Sequence, residues 1–345
     1  MLRFECDYTE GCIPEILDAI ARENYSQLQG YSEDTVCDRA KAKVKALCGG
    51  ADVDVHFLVG GTQTNTTVIA ASLRPYQGVL SAETGHIACH ETGAIEATGH
   101  KVLALPTENG RLTASQIRQY CAAHWADASF EHMPQPAMVY LSHPVENGSL
   151  YTLEELTEIR KACDEWNLLL FVDGARLGYG LASPANDITI ADLARLTDAF
   201  YIGGTKVGAL FGEAVVILNP ALKEDFRYLI KQKGAMFAKG RLLGIQFDVL
   251  MTDNLYWEIA GHADALADQI RATLDALKVP YLVPTNTNQI FPILPDDILA
   301  ELKKNFAFSE IERVDETHRA IRFCTSWATK DEAVDQLVDY IQTAL

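Results

Sequence analysis

Two residues of this chain, an aspartate and a lysine, are placed where they could act on one ligand. Asp173 directly follows the apolar run 168–172, and Lys206 comes shortly after the apolar run 199–202, with small residues on both sides. Both runs predict buried strands, and open α/β sheets bind their ligands at the carboxyl ends of strands. Spacing alone leaves an equally simple alternative, in which the aspartate caps a turn and the lysine lies on the surface of a glycine-rich loop.

The chemistry that such a pair could support is that of a pyridinium cofactor. A carboxylate stabilises a protonated ring nitrogen by charge and hydrogen bonding, so that the ring can accept electrons. A lysine can form an imine when it has space for the cofactor and when its surroundings lower its pKa. Asp173 and Lys206 therefore predict a site for pyridoxal 5'-phosphate.

Two further segments could complete such a site. Gly60, Gly61 and Thr62 lie between a predicted strand and a predicted helix. The free N–H groups of a helix start and a threonine hydroxyl suit a phosphate monoester. The turn lacks the glycine spacing of dinucleotide sites and the lysine of a P-loop, so a plain strand-to-helix turn is the alternative. His86 follows the next strand, where it could lie against a cofactor ring or be a solvated loop histidine.

The elements that must position these residues predict an α/β fold. Helical and strand-like segments alternate through the first two-thirds of the chain, with a strand at 54–59 and a helix after it. This alternation favours a mostly parallel sheet covered by helices on both faces. The pattern also predicts helices at 13–28, 220–233 and 255–277, the last two in a region where the alternation ends. Asp34 is predicted to cap a further helix that runs through Lys45 and stops at Gly49-Gly50.

The change of pattern after residue 220 indicates a second domain. Long helical segments there precede short strands and helices, as in a small α+β domain. We predict a large domain over residues 13–250 and a small C-terminal domain over residues 251–345. Residues 1–12 are expected to pack near the active site.

With these segments in this order, the chain resembles the threonine aldolases, in the beta-eliminating lyase group of fold type I pyridoxal-phosphate enzymes. The resemblance spans nearly the whole sequence and rests on Asp-Gly-Ala-Arg at 173–176, Gly-Gly-Thr-Lys at 203–206 and Tyr-Ser-Glu-Asp at 31–34. It implies a large domain with a mostly parallel seven-stranded sheet and a smaller C-terminal α+β domain. It also implies a homodimer or homotetramer with shared active sites.

The resemblance assigns roles to individual residues. It makes Lys206 the Schiff-base lysine and His86 the histidine that stacks on the ring. The residues implied to bind the cofactor are Gly61, Thr62, Asn65, His86, Asp173, Arg176, Thr205 and Lys206. The residues implied to bind the substrate are Cys6, Tyr31, Arg176 and Arg322, with the two arginines holding its carboxylate.

The reaction implied is cleavage of a β-hydroxy-α-amino acid, of the threonine or allo-threonine type, to glycine and an aldehyde. His143, in the loop 141–148, and His86 are the candidates for the base, because imidazole titrates near neutrality. Elimination from another amino acid would use the same aspartate, lysine and arginines, so it remains an alternative. A non-catalytic protein that keeps the fold is a second alternative.

Three departures from the family's pattern bear on the substrate and on the assembly. Cys6 stands where the family commonly has a serine, and a thiol is the weaker hydrogen-bond donor. Thr205-Lys206-Val207 replaces a common Ser-Lys-Gly. The segment 231–241 has four basic residues in the region where the family reaches a neighbouring subunit's phosphate, and the sequence does not single out one of them.

Composition excludes several other classes of function. A net charge of −18 disfavours binding to a nucleic-acid backbone, and no apolar run is long enough for a membrane helix. The eight cysteines are scattered without a C-x-x-C pair, which predicts reduced thiols and no metal site. We therefore expect a cytoplasmic enzyme that acts on a small amino acid.

Overall fold

The computed structural model describes residues 1–345. Its helices are α1 (Pro14–Glu23), α2 (Thr35–Leu47), α3 (Gly61–Ser72), α4 (His86–Cys89), α5 (Ala114–Ala126), α6 (Leu153–Glu165), α7 (Leu177–Ala182), α8 (Ile190–Leu196), α9 (Pro220–Lys223), α10 (Phe226–Gln232), α11 (Arg241–Leu250), α12 (Leu255–Ala276), α13 (Asp296–Leu302) and α14 (Asp331–Ala344). Two short 3₁₀ turns lie at Glu96–Thr98 and Phe130–His132. None of these helices is both long and apolar enough to span a bilayer.

The strands are β1 (Leu2–Arg3), β2 (Asp54–Leu58), β3 (Gln77–Ala82), β4 (Lys101–Leu105), β5 (Gln135–Ser142), β6 (Leu169–Asp173), β7 (Ala199–Gly203), β8 (Glu213–Ile217), β9 (Gln289–Ile290), β10 (Ile293–Pro295), β11 (Phe306–Ala307), β12 (Ser309–Arg313) and β13 (His318–Cys324). Seven of them form the main sheet in the order β2-β8-β7-β6-β5-β3-β4. Six of the seven strands run in the same direction, and β8 runs in the opposite direction. The predicted mostly parallel seven-stranded sheet is confirmed.

The central strands of this sheet are buried and mostly apolar because helices cover both faces. Every residue of β7 and β8 is buried, as expected for a strand with no solvated face. The carboxyl ends of β2, β3, β5, β6 and β7 meet at one edge, since these strands are parallel to one another. The start of β8 lies at the same edge because that strand runs the other way. This edge positions the candidate site.

The C-terminal part forms a second, smaller sheet. Strands β10 and β12 flank β13, and β9 pairs with the end of β13. The N-terminal strand β1 pairs with β11, so the first residues of the chain belong to this part of the molecule. Helix α12 packs on α7 of the large part and on α14 of the small part. The domain boundary after residue 250 stays a prediction.

Two predicted helices differ from those observed. The helix expected over 220–233 is divided into α9 and α10, because Asp225 between them has a left-handed backbone with φ 58°. Such a residue cannot continue a right-handed helix. The helix expected over 13–28 ends at Glu23. By contrast, α2 begins as predicted, with the Asp34 carboxylate accepting the backbone N–H groups of Val36 and Cys37.

Candidate active site

A cavity of about 310 Å3 lies at the edge where the parallel strands end. Asp173 at the end of β6 and Lys206 after β7 both line it, so the two residues on which the predicted chemistry depends share one space. His86 and the turn at Gly60 and Gly61 line the same cavity. Two larger surface grooves, of about 530 and 680 Å3, contain none of these residues.

The Asp173 carboxylate accepts four hydrogen bonds within the chain. Its Oδ1 accepts the Tyr201 hydroxyl at 2.5 Å and the Ala175 N–H at 2.9 Å. Its Oδ2 accepts the Tyr140 hydroxyl at 2.6 Å and the Asn65 amide at 3.1 Å. Tyr140 and Tyr201 belong to the strands on either side of β6, so the sheet itself fixes the two phenols against the carboxylate. Burial, with the Asp173 charge added to it, raises the pKa of both tyrosines, which are therefore donors.

A chain of hydrogen bonds joins Asp173 to His86 through Asn65 and Glu91. The Asn65 amide nitrogen also donates to Glu91 Oε1 at 2.8 Å, and His86 Nδ1 lies 2.8 Å from the same oxygen. Burial alone would lower the pKa of His86, but the hydrogen bond to Glu91 and the charges of Asp173 and Glu91 outweigh it and raise that pKa. The Glu91 carboxylate therefore stabilises the protonated imidazole relative to a free histidine.

A second connection runs from His86 back to Asp173 through Glu146, Ser142 and Tyr140. The backbone N–H of His86 donates to Glu146 Oε1 at 2.8 Å, and the Ser142 hydroxyl donates to the same oxygen at 2.5 Å. The Ser142 hydroxyl also lies 3.4 Å from the hydroxyl of Tyr140. The two connections close a ring of polar groups around one side of the cavity.

Lys206 faces this ring from the loop after β7. Its amine makes no hydrogen bond or ion pair within the chain. Burial, with the Arg176 charge added to it, lowers the pKa of Lys206 against the opposing effect of nearby carboxylates. A lysine with a lowered pKa has more of the neutral amine that attacks a carbonyl.

Glu213 at the start of β8 anchors the lysine loop. Its Oε1 accepts the Thr205 hydroxyl at 2.8 Å, its Oε2 accepts the Gly204 N–H at 3.1 Å, and Thr205 Oγ1 in turn accepts the Gly212 N–H at 3.0 Å. Burial raises the pKa of Glu213 to about 8. Thr205, predicted as a cofactor residue, lines the cavity, and its hydroxyl holds Glu213 in this structure.

The predicted phosphate turn opens α3 at the cavity wall. No side chain caps the first N–H groups of this helix, because its N-cap is Gly60. Gly61 packs closely against β7: a Cβ added there would meet the Tyr201 hydroxyl at a tight 3.1 Å. Thr62 also lines the cavity. Asn65, one turn further along the helix, is directed to Asp173 and Glu91 and lies outside the cavity lining.

Arg176 lines the cavity and pairs with the N-terminal segment. Its Nε and Nη2 donate to Asp7 Oδ2 at 2.7 Å and to Asp7 Oδ1 at 2.9 Å. Burial would lower the pKa of Arg176, but the Asp7 charge, the Asp7 hydrogen bonds and other nearby groups together outweigh it and raise that pKa. Two of the three guanidinium nitrogens are thus bound to Asp7, and Tyr8 next to it lines the cavity.

Besides Asn65, four predicted site residues lie outside the cavity lining, namely Cys6, Tyr31, His143 and Arg322. The His143 side chain is 2% exposed and neither ring nitrogen has a hydrogen-bond partner, while burial lowers its pKa to about 4. Its backbone N–H donates to the Asp173 carbonyl, so the loop is at the site although the ring is not. The prediction of His143 as a residue in contact with substrate is not supported by this geometry.

The other three differ in their surroundings. Arg322 donates to Gln289 Oε1 at 3.1 Å and to the Glu5 carbonyl at 2.7 Å. Glu5 directly precedes Cys6, so Cys6 belongs to the same neighbourhood. The Nε of Arg322 is buried without a partner. Tyr31 is 44% exposed and lies on a separate surface groove, with the Lys231 amine 5.1 Å from the centre of its ring.

Sequence reasoning missed five residues that the fold brings to this site. They are Glu91, Tyr140, Glu146, Tyr201 and Glu213. The two tyrosines could have been suspected, because a hydroxyl in an otherwise apolar central strand needs a partner. Glu146 belongs to the loop that was already singled out for His143. Glu91 and Glu213 give no comparable signal.

The chain is similar to known proteins over nearly its full length. The chain is 31% identical to a low specificity L-threonine aldolase of Pseudomonas aeruginosa, over 99% of this chain and 98% of the relative. A structure described as threonine aldolase of Leishmania major matches with a TM-score of 0.97 and 45% identity, over 100% of both chains.

A Thermus thermophilus aspartate aminotransferase matches with a TM-score of 0.73 at 14% identity, over 100% of this chain and 92% of that one. At that identity the likeness concerns the fold alone, and it confirms the predicted fold class. The beta-eliminating lyase family model matches residues 6–296. With Asp173 and Lys206 on one cavity and relatives that align over nearly its full length, this chain belongs to the beta-eliminating lyase family.

Proposed function

We propose that this protein is a pyridoxal-phosphate-dependent aldolase that cleaves a β-hydroxy-α-amino acid of the threonine type to glycine and an aldehyde. The observation that carries the proposal is the common cavity of Asp173 and Lys206, which gives one ligand access to a fixed carboxylate and to an amine whose pKa is lowered by burial. The relatives named as threonine aldolases supply the substrate class.

The residues of the cavity fit pyridoxal phosphate. The uncapped N-terminus of α3, with Thr62, suits the phosphate, and the absence of a side chain at Gly61 keeps that approach open. Asp173 would face the ring nitrogen, and the unpaired amine of Lys206 would hold the aldehyde carbon. When bound, the cofactor supplies the electron sink for the broken Cα–Cβ bond.

The chain's own groups orient the amino acid and move its protons. Arg176 and Arg322 are proposed to bind the carboxylate; Arg176 keeps Nη1 without a hydrogen bond in the chain, and Arg322 has an unpaired Nε. A bidentate pair would set the direction of the Cα–Cβ bond. Cleavage also requires a base for the β-hydroxyl proton, and of the two histidines predicted for this role only His86 lines the cavity.

A homo-oligomer would explain the position of Tyr31. Around it lie Arg227, Tyr228, Lys231 and Met236, which form a groove of about 490 Å3 on the surface, and the Tyr228 side chain is 75% exposed. We propose that this face meets a second copy, so that Tyr31 and a basic residue of 231–241 reach the partner's cavity. Light scattering of the purified protein tests the assembly. We also keep the cytoplasmic location predicted from the cysteine pattern as a proposal.

The central experiment combines spectroscopy with product analysis. Wild-type protein loaded with pyridoxal phosphate should show visible absorbance that borohydride bleaches, and with threonine or allo-threonine it should release glycine and acetaldehyde. Release of pyruvate and ammonia from another amino acid would favour elimination instead.

Lys206→Ala should abolish both the borohydride-stable label and turnover, because no other amine of the chain lines the cavity. The control is Lys330→Ala, which removes an exposed lysine at the start of α14. A label that survives in Lys206→Ala together with full turnover contradicts the proposal.

A further inference from the structure

Glu146 presents a carboxylate to the cavity that no motif had assigned. It lies in the loop after β5, three residues beyond His143, and it lines the cavity while Val145 beside it is buried. Its Oε1 is fixed by the Ser142 hydroxyl and the backbone N–H of His86. Its Oε2 makes no hydrogen bond within the chain, so one oxygen is anchored and the other is free for a ligand.

The surroundings of Glu146 make it more basic than an ordinary glutamate. Burial raises its pKa, the Asp173 charge adds to this, and the hydrogen bonds from Ser142 and His86 oppose it. The other titratable groups near it are Tyr140, Cys89 and Tyr151. A carboxyl group with a raised pKa can exchange protons closer to neutral pH.

Neither histidine is as well suited to accept a proton from a substrate. The His143 ring does not line the cavity, and burial lowers its pKa to about 4. The His86 ring is held at Nδ1 by the Glu91 carboxylate, and the hydrogen bond between them raises the pKa of the imidazole. Glu146 Oε2, by contrast, lies on the cavity wall without a hydrogen-bond partner in the chain.

We propose that Glu146 is the catalytic base that accepts the β-hydroxyl proton of the substrate, an inference that rests on the proposed aldolase function. The O–H bond breaks and its proton passes to Glu146 Oε2, while the O–H electron pair becomes the second carbon–oxygen bond of the aldehyde. The Cα–Cβ electron pair stays with the carbon that becomes Cα of glycine; that carbon takes up a proton from water, and Glu146 returns its proton to water, so no net proton is gained or lost. His86 and Ser142 position the carboxylate.

Glu146→Gln tests this role because it keeps the shape of the side chain and removes the base. Cleavage of threonine should fall by about 10²- to 10⁴-fold in kcat/KM, the usual contribution of a positioned base. In the pH profile of kcat/KM, the decrease at acid pH (the acid limb), which protonation of Glu146 causes, should disappear.

Two readouts that do not involve the β-hydroxyl should be retained: the visible spectrum of bound pyridoxal phosphate, and exchange of the glycine α-proton with D2O followed by NMR. Glu131→Gln is the matched control, since Glu131 lies before β5, at the opposite edge of the sheet from the cavity.

A second variant keeps the inference testable if Glu146→Gln does not fold. Ser142→Ala removes a hydrogen bond that lowers the pKa of Glu146, so the acid limb should move to higher pH. An unmoved limb in Ser142→Ala, or full threonine cleavage by Glu146→Gln, would overturn the role of Glu146 alone. A limb that is lost in His143→Asn but kept in Glu146→Gln would return the role to the histidine. A wild-type protein that cleaves no β-hydroxy amino acid would refute the aldolase function itself.

Discussion

Asp7 should be essential to the stability of the site, although it lies far in sequence from Arg176, the residue with which it pairs. Asp7 is fully buried and the Arg176 side chain is 13% exposed, and they form two hydrogen bonds of 2.7 and 2.9 Å. Asn288 adds a third hydrogen bond to Asp7 at 3.0 Å. In Asp7→Ala the arginine keeps its charge in a buried position without its partner, and this is the costly way to break a buried ion pair.

The expected cost of Asp7→Ala is about 3–5 kcal/mol of unfolding free energy. An unfolding entropy of about 2.1 cal/mol/K per residue gives about 0.7 kcal/mol/K for the whole chain, so the melting temperature should fall by about 4–7 °C. The assay is thermal unfolding of the protein without cofactor. Arg3→Ala is the control, because it removes one partner of the exposed Arg3–Glu5 pair and should cost under about 1 kcal/mol.

The pH dependence of this effect has a definite sign. Burial would raise the pKa of Asp7, but the charges of Arg176 and Lys206 outweigh it and lower that pKa from its ordinary 3.8. A carboxylate with a lowered pKa stabilises the fold above its unfolded pKa, and the contribution is lost as the pH falls through the folded value. The difference between wild type and Asp7→Ala should therefore be constant near neutral pH and shrink in acid below pH 3.8.

The same substitution should change the lysine. Arg176 lowers the pKa of Lys206 and Asp7 raises it, so removal of Asp7 should lower it further. The apoprotein should then form its borohydride-reducible link to pyridoxal phosphate at a lower pH than wild type does. A melting temperature of Asp7→Ala equal to that of Arg3→Ala, with no change in this pH dependence, would refute the reasoning.

Three other substitutions test the buried polar groups. Tyr201→Phe and Tyr140→Phe should each lower the unfolding free energy by about 1.5–3 kcal/mol in denaturant unfolding, as expected for hydrogen bonds to a charged acceptor. Most of that cost should vanish when the same substitution is made in Asp173→Asn. Additive costs of the tyrosine and aspartate substitutions would contradict the role of Asp173 as their acceptor. Asp264→Asn should flatten the loss of stability between about pH 4 and 9, because burial raises the pKa of Asp264 to about 9 and both its oxygens are unpaired. A carboxyl group with a raised pKa in the folded state stabilises the fold at low pH, and this contribution is lost as the pH rises through the folded-state pKa. Identical curves of stability against pH for wild type and Asp264→Asn would contradict this.

Local pattern predicted the elements of the large domain well because its physical causes are local. The strand at 54–59 and the helix after Asp34 were expected from apolar runs and a capping residue, and both are observed within a residue or two. The helix expected over 220–233 failed at Asp225, where a left-handed backbone divides it. Nothing in the composition of that segment distinguishes it from a continuous helix.

The candidate site was predictable in part for the same reason. Asp173 and Lys206 follow apolar strands, and parallel strands end at one edge of a sheet, so their shared cavity follows from pattern and topology. His143 was assigned to the site through its loop, and the backbone of that loop does reach Asp173. The direction of its ring depends on packing, and the structure turns the ring away and presents Glu146 to the cavity instead.

By itself the sequence determined the fold class and the positions of Asp173 and Lys206 at strand ends, because the alternation of strands and helices and the residues that follow each strand are local features of the chain. Only the tertiary structure decided which polar groups surround the site residues: Tyr140 and Tyr201 on Asp173, and Asp7 on Arg176. The members of each pair come from different elements, in the last pair 169 residues apart. Their contact depends on how a whole sheet and its covering helices pack, and no local periodicity records that.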